Sequence, residues 1–291
     1  MARLGFHASH EQASPRQLLR DVQHAEQAGF ACAMSSDHIA PWSARQGHSG
    51  NTWVWLGAAL ATTALPIGTL AIPGARYHPV VLAHHIATLA QLFPGRFWAA
   101  LGSGEAMNEH VTGAPWPPKE QRVEHLEAAT EVISRLQQGE EVSRDGTVTV
   151  DRARLWDVPD PPAPLRAAAI SAESAARAAA WADGLVTVVQ PVDALRRLVT
   201  AYREAGGGGS LALQLHLSWA PDRSEAPPGP PHTGRNRRRV GREAIKCSPR
   251  RHSRPVAGRP CGAVSSVPAS PAQPPRPSVP ACSPPPADSR R

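Results

Sequence analysis

The chain has 291 residues, room for one large domain or two small ones. Its net charge of +7 hides a split, because residues 221–291 carry 14 basic and 4 acidic residues while residues 1–220 carry 17 and 20. The basic excess belongs to a tail, which excludes the whole chain as a specific nucleic-acid binder, and no run of about 18 apolar residues is present to cross a membrane.

The first 220 residues alternate strand and helix patterns. A strand is expected at 3–8, followed by a helix that Ser14-Pro15-Arg16-Gln17 starts with an N-cap, a first-turn proline and a capping-box glutamine. Leu18, Val22 and Ala25 form its inner stripe and Gly29 ends it. A strand at 31–35, a helix at 53–63 and a strand at 67–72 come next. The helix expected at 79–92 sets Leu82, Ile86 and Leu89 on one face before Phe93-Pro94-Gly95 stops it. A strand at 97–102 and a helix at 120–138 follow. Residues 141–150 read as a β-hairpin with an Asp145-Gly146 turn, an insertion outside the main sheet. Strands at 165–170, 184–189 and 211–219 alternate with helices at 172–181 and 192–205, the last ended by Gly206-Gly207-Gly208-Gly209.

Most of these strands are short continuous apolar runs, the mark of parallel strands buried on both faces. Seven in order argue for a (β/α)8 TIM barrel over an open doubly wound sheet, whose first turn is usually rich in glycine. The first turn here is Ser9-His10-Glu11-Gln12. An eighth strand is not found, so the barrel is expected to be incomplete over residues 1–220.

The remaining residues, 221–291, hold 17 of the 31 prolines and lack apolar periodicity, so this tail is expected to be disordered. A basic binding arm, a spacer, or a frame-shifted reading of GC-rich coding DNA each accounts for that composition. The barrel region has one cysteine, Cys32, and the N-terminus has no long apolar stretch, which points to a reducing, cytoplasmic setting.

In such a barrel the working groups lie just past the C-terminal ends of the strands. Three of these ends carry ionisable residues: His10-Glu11, Asp37-His38, and Gly102-Ser103-Gly104-Glu105. Histidine shuttles protons near neutral pH, and an acid beside it orients a ring or a cofactor. The plainer reading of Asp37 is a turn cap, with the strand-end location favouring function, and Trp42 reads either as the wall of an aromatic ligand site or as packing. Glu105 follows a Gly-x-Gly turn that admits close backbone approach to a ligand, and is either a general acid or a helix-start carboxylate. Glu11 has the same ambiguity, and Asn108 and Glu109 are hydrogen-bonding neighbours or solvent-facing residues. The mid-helix pair His84-His85 lacks a second ligand pair, so no metal is expected. Gly206–Gly209 follows a helix and makes a poor phosphate cradle.

Several segments together resemble the bacterial-luciferase-like superfamily. They are Ser36-Asp37-His38 with Pro41-Trp42, Arg76-Tyr77-His78-Pro79, Phe93-Pro94-Gly95-Arg96, and Gly102-Ser103-Gly104-Glu105-Ala106-Met107-Asn108-Glu109. More narrowly they are similar to its branch of deazaflavin F420-dependent enzymes. The resemblance covers about residues 3–220 and implies a barrel that transfers a hydride at C5 of F420 or N5 of FMN.

By that resemblance Asp37 contacts the cofactor ring, His38 takes the substrate proton, and Glu105 is a general acid at the ring. Trp42 and Glu11 line the substrate side, while Ser103, Gly104 and Asn108 lie at the cofactor. Leu70-Ala71 falls where the family has a strained non-prolyl cis peptide behind the ring. Ile170-Ser171 and Pro191 stand where the sugar-phosphate dehydrogenases carry Gly-Gly and lysine, which argues against a sugar phosphate. The expected partner is a small-molecule substrate, in a possible homodimer. An FMN-dependent monooxygenase using O2, or a non-catalytic truncated barrel, is the alternative.

Overall fold

The computed structural model describes residues 2–217. In chain order the elements are β1 (Gly5–Ala8), α1 (Pro15–Gln27), β2 (Cys32–Ser35), α2 (Thr52–Thr62), β3 (Ile67–Ala71), α3 (Pro79–Leu92) and β4 (Phe97–Leu101). A one-turn helix α4 (Ala106–Glu109) and a 3-10 turn (His110–Thr112) precede α5 (Lys119–Gln137). The hairpin strands β5 (Val142–Arg144) and β6 (Val150–Ala153) come next, then β7 (Leu165–Ala168), α6 (Ala172–Ala178), β8 (Gly184–Val188), α7 (Val192–Glu204) and β9 (Ser210–Gln214).

Seven of these strands form one parallel sheet in the order β1-β2-β3-β4-β7-β8-β9. Each strand lies beside its predecessor in the sheet, as a barrel requires and a doubly wound sheet does not. The hairpin β5–β6 is antiparallel and stands apart. Among the described residues there is no eighth strand and no ladder between β1 and β9. The curl of the sheet nevertheless brings Nε2 of Gln214, at the end of β9, to 3.3 Å from Nε2 of His7 on β1.

Local signals start and stop the helices. Ser14 Oγ accepts from the Gln17 N–H at 3.3 Å, and Asn51 Oδ1 accepts from Val54 N at 3.0 Å to start α2. Gly29 takes φ +88°, a conformation that costs other residues energy, just after α1. The strands end one or two residues before the expected limits at 72, 102, 170 and 189, because there the chain bends into the mouth loops. The strand expected at 211–219 ends at Gln214, and α6 stops at Ala178 rather than Trp181. Residues 218–220 and the tail 221–291 lie outside the described residues.

The period of two along each strand separates two apolar faces. Ala33, Ile67, Ala71, Phe97, Ala99, Leu101 and Leu165 pack outward against α1, α2, α3 and α5. Each fully buried large side chain there contributes about 1.5–3 kcal/mol. The inward face carries Met34, Leu70, Trp98, Ala100, Val186 and Ala212. Trp98 lies against Gly68, where a Cβ would fall 2.1 Å from the indole, and the Arg166 guanidinium stacks 4.0 Å from the ring centroid. The lower lumen is therefore filled, and the upper end is left to the loops. Cys32 is partly buried.

Candidate active site

The turn Ser9-His10-Glu11-Gln12 leaves β1 at the C-terminal end of the sheet and is closed by Gln12 N donating to Ser9 O at 3.1 Å. It buries Glu11, which is 2% exposed. One carboxylate oxygen, Oε2, accepts from the hydroxyls of Ser9 and Ser36, the latter at 2.9 Å. The other, Oε1, pairs with His38 Nδ1. Burial pushes the Glu11 pKa up, but the hydrogen bonds and charge of His38 and the Ser9 hydroxyl more than offset it, bringing it down to about 2. Glu11 is therefore a carboxylate behind the imidazole. Trp42 stands edge-on to the His38 ring with centroids 5.2 Å apart and remains partly exposed.

Asp37, on the same loop, is 4% exposed. Tyr77 OH donates to its Oδ1 at 3.2 Å, and Arg76 Nη2 sits 3.6 Å from Oδ2 while donating to the Asp37 carbonyl at 3.0 Å. Oδ2 itself has no hydrogen-bond donor among the described residues. Burial raises the Asp37 pKa and is only partly countered by Arg76, Tyr77 and His38. Tyr77 in turn is pushed up to about 12 by burial and by the Asp37 charge.

The loop after β4 brings the third group. Gly104 takes φ +86°, and a Cβ there would stand 3.0 Å from Ile72 Cγ2. The Arg122 guanidinium donates to the carbonyls of Ser103 and Gly104 at 3.2 and 3.3 Å and stacks on Trp116. Glu105 stands exposed at the start of α4, its carbonyl accepting from Asn108 N at 3.1 Å. Asn108 and Glu109 are both buried. Asn108 Oδ1 accepts from Ile39 N at 3.0 Å and Ala40 N at 3.4 Å, tying α4 to the loop of His38.

The structure thus joins Glu11, His38 and Trp42 in direct contact and holds Asp37 beside them. Asn108 links this group to α4, which Glu105 begins. Leu70 faces the lumen, whereas the Ala71 side chain lies in the helix-side core. The expected cis link at Leu70-Ala71 is corrected: Asp160-Pro161 is the one cis peptide bond among the described residues. Leu70 and Ala71 pair in regular register with Ala100 and Leu101, and that ladder is built from trans peptides.

The sequence reading assigned no role to Ser9, Ser36, Arg76 or Tyr77, and left Glu109 either a hydrogen-bonding neighbour or solvent-facing, whereas it is buried against Arg76. Arg76-Tyr77 was visible as part of a motif, but neither residue type nor spacing says which carboxylate it meets. Of the discounted pair, His85 packs by Trp53 and Tyr77, its ring centroid 5.3 Å from that of Trp53. No cluster of three or more metal-ligating side chains occurs among the described residues.

A parallel near-barrel with a carboxylate–histidine pair at its mouth defines a class, and the comparison with known families agrees. The family described as luciferase-like monooxygenase matches residues 1–227, and the chain belongs to it. Within that family it is similar to the F420-dependent glucose-6-phosphate dehydrogenase of Beutenbergia cavernae, with 43% identity over 238 residues, 78% of this chain and 71% of the relative. It is 38% identical over 188 residues to the enzyme of the same name from Microbacterium testaceum, covering 64% of this chain and 56% of that one. The chain therefore spans about half the length of the second relative.

Among solved structures it resembles an F420-dependent secondary alcohol dehydrogenase in complex with an F420-acetone adduct. The TM-score is 0.69 at 33% identity, over 73% of this chain and 68% of that one. The coenzyme F420-dependent tetrahydromethanopterin reductase of Methanopyrus kandleri, at 22% identity and TM-score 0.63 over 77% of this chain and 68% of that one, shares the fold. No helix among the described residues is long and apolar enough to cross a membrane.

Proposed function

We propose that this chain is an oxidoreductase dependent on F420 or FMN, moving a hydride between that group and a small organic substrate with a hydroxyl or carbonyl. The observation that carries the reading is the buried Glu11–His38 pair at the barrel mouth, in a chain whose relatives are F420-dependent dehydrogenases. The residues present fit a deazaflavin or flavin ring. Asp37 Oδ2 is a buried acceptor without a donor among the described residues, suited to a ring N–H, and Leu70, Ala100 and Val186 give an apolar floor in the lumen. The glycines of Gly102-Ser103-Gly104 leave room for backbone approach.

When bound, the ring supplies the hydride acceptor or donor. His38 handles the substrate proton: with Nδ1 held by Glu11, Nε2 is the nitrogen left to take a hydroxyl proton as an alcohol is oxidised. Glu11 stabilises the imidazolium that results, as a carboxylate does for any histidine base. Trp42 walls the substrate beside that imidazole. Glu105 is assigned the acid role at the ring side, and Ser103, Gly104 and Asn108 the cofactor side. We assign this chemistry to residues 1–220, as a unit distinct from 221–291, in a reducing cytoplasm.

Titration of the purified chain with F420 and with FMN, followed by fluorescence, tests the reading. Saturable binding of either group, with substrate-dependent reduction by a secondary alcohol, supports it. Substrate-dependent oxygen consumption with reduced FMN makes the chain a monooxygenase instead. Binding of neither group makes it a non-catalytic barrel.

A further inference from the structure

The Arg76 side chain is buried at the mouth, only 7% exposed, and joins its own loop to the Asp37 loop and to α4. Its Nε donates to Glu109 Oε1 at 2.8 Å and its backbone N–H to Glu109 Oε2 at 3.1 Å. Its Nη2 serves the Asp37 carbonyl and faces the Asp37 carboxylate. Glu109 ends α4, so one side chain clamps the loop of His38 to the helix that Glu105 begins. It also lies between two buried carboxylates that would otherwise face each other without a counter-charge.

We propose that Arg76 is the positioning residue of this site, locking the loop after β2 to α4 and supplying the charge that keeps Asp37 a carboxylate toward the cofactor ring. The cofactor part rests on the function proposed above, and the charge part does not. Asp37 is faced by Arg76 and Tyr77 from the loop after β3, by His38 from its own loop and by Glu109 from α4. Burial and Glu109 push its pKa up, while Arg76 is the largest influence pulling it down. Without the guanidinium, the cost of burying two carboxylates is met by protonating one of them.

The test compares Arg76→Met, Arg76→Lys and the double variant Arg76→Met/Asp37→Asn with the parent, all as the full chain. Thermal unfolding without cofactor comes first. The Arg76→Met deficit in Tm should grow as pH rises, by about 3 °C or more between roughly pH 5.5 and 8.5, because ionising the unpaired carboxylates opposes folding. Adding Asp37→Asn should remove most of that growth. F420 and FMN are then titrated by fluorescence. Affinity of Arg76→Met should fall as pH falls, by up to about tenfold per unit, because a protonated Asp37 offers the ring N–H only a neutral, weaker acceptor. The parent and Arg76→Lys should change less over the same range.

Loss of packing alone would lower Tm and affinity equally at every pH, so a pH-independent deficit overturns the proposal. A double variant no more stable than Arg76→Met at high pH also overturns it. Should Arg76→Met fail to fold at high pH, recovery at low pH or through Asp37→Asn supports the proposal, and recovery by neither overturns it. A parent that binds neither cofactor removes the proposed function, while the unfolding arm still decides the charge role.

Discussion

Glu11 Oε1 and His38 Nδ1 pair across the gap between the loops that follow β1 and β2, and Ser36 Oγ donates to the second Glu11 oxygen at 2.9 Å. Because Ser36 also accepts from the His10 backbone N–H at 3.0 Å, the two loops are stitched together at the point where the imidazole is held. The geometry leaves one imidazole nitrogen for proton transfer, and from this the first prediction follows.

Replacing His38 with alanine should lower kcat by about 10²- to 10⁴-fold, the usual range for losing a general acid or base. Glu105→Gln should also lower turnover. In both variants the cofactor affinity read by fluorescence titration should stay close to that of the parent. Unchanged turnover in both would remove these side chains from the mechanism.

Glu11→Gln should cost stability as well as rate. The folded pKa of Glu11, about 2, lies below its ordinary value of 4.5, so its contribution is fully present above about pH 4.5 and fades as pH falls toward 2. At neutral pH the variant should lose up to about 3 kcal/mol, measured by denaturant unfolding. The gap between variant and parent should close in acid.

His10 acts in the same direction, in a higher pH window. It is fully buried edge-on to Trp55, with centroids 5.1 Å apart and neither ring nitrogen hydrogen-bonded among the described residues, and burial lowers its pKa to about 4. The unfolded chain binds a proton there between about pH 6.5 and 4 and the folded chain does not, so stability drains away over that window. His7 adds to the same loss, its pKa also lowered by burial to about 4. His10→Phe should flatten the dependence of Tm on pH below about 6.5, where an unchanged slope would speak against this account.

Gly68→Ala should destabilise the barrel without touching the mouth. The added methyl would meet the Trp98 indole at 2.1 Å, an overpacking that typically costs about 1–3 kcal/mol. Combining it with Trp98→Leu should restore part of the lost Tm. If the single variant melts with the parent, the lumen is looser than described.

Much of the fold was legible because its signals are local. Ser14 and Pro15 start α1 where the sequence places it, and α3 runs from Pro79 to Leu92 as its Leu82, Ile86 and Leu89 stripe requires. The hairpin followed from Asp145-Gly146, although its second strand, β6, starts only at Val150 and runs on to Ala153. The one-turn α4 was missed, since four residues are too few for a periodic pattern to register. Trp98 and Arg166 gave no sign that they fill the lumen, because an aromatic or basic residue in a strand reads the same on either face. Of the site, the three loops were found from strand ends alone. Ala71 was grouped with Leu70, and only the pleat sends its side chain to the other face.

The amino-acid order determined by itself that strands and helices alternate, where α1 and α3 start, and which ionisable residues stand just past a strand end. All of these depend on neighbours within a few residues. Tertiary structure decided which oxygen of Glu11 meets His38, that Arg76 lies between Asp37 and Glu109, and which histidines lose their charge. Those partners are 27 to 39 residues apart along the chain, and protonation answers to burial and through-space charge, neither of which a linear pattern carries.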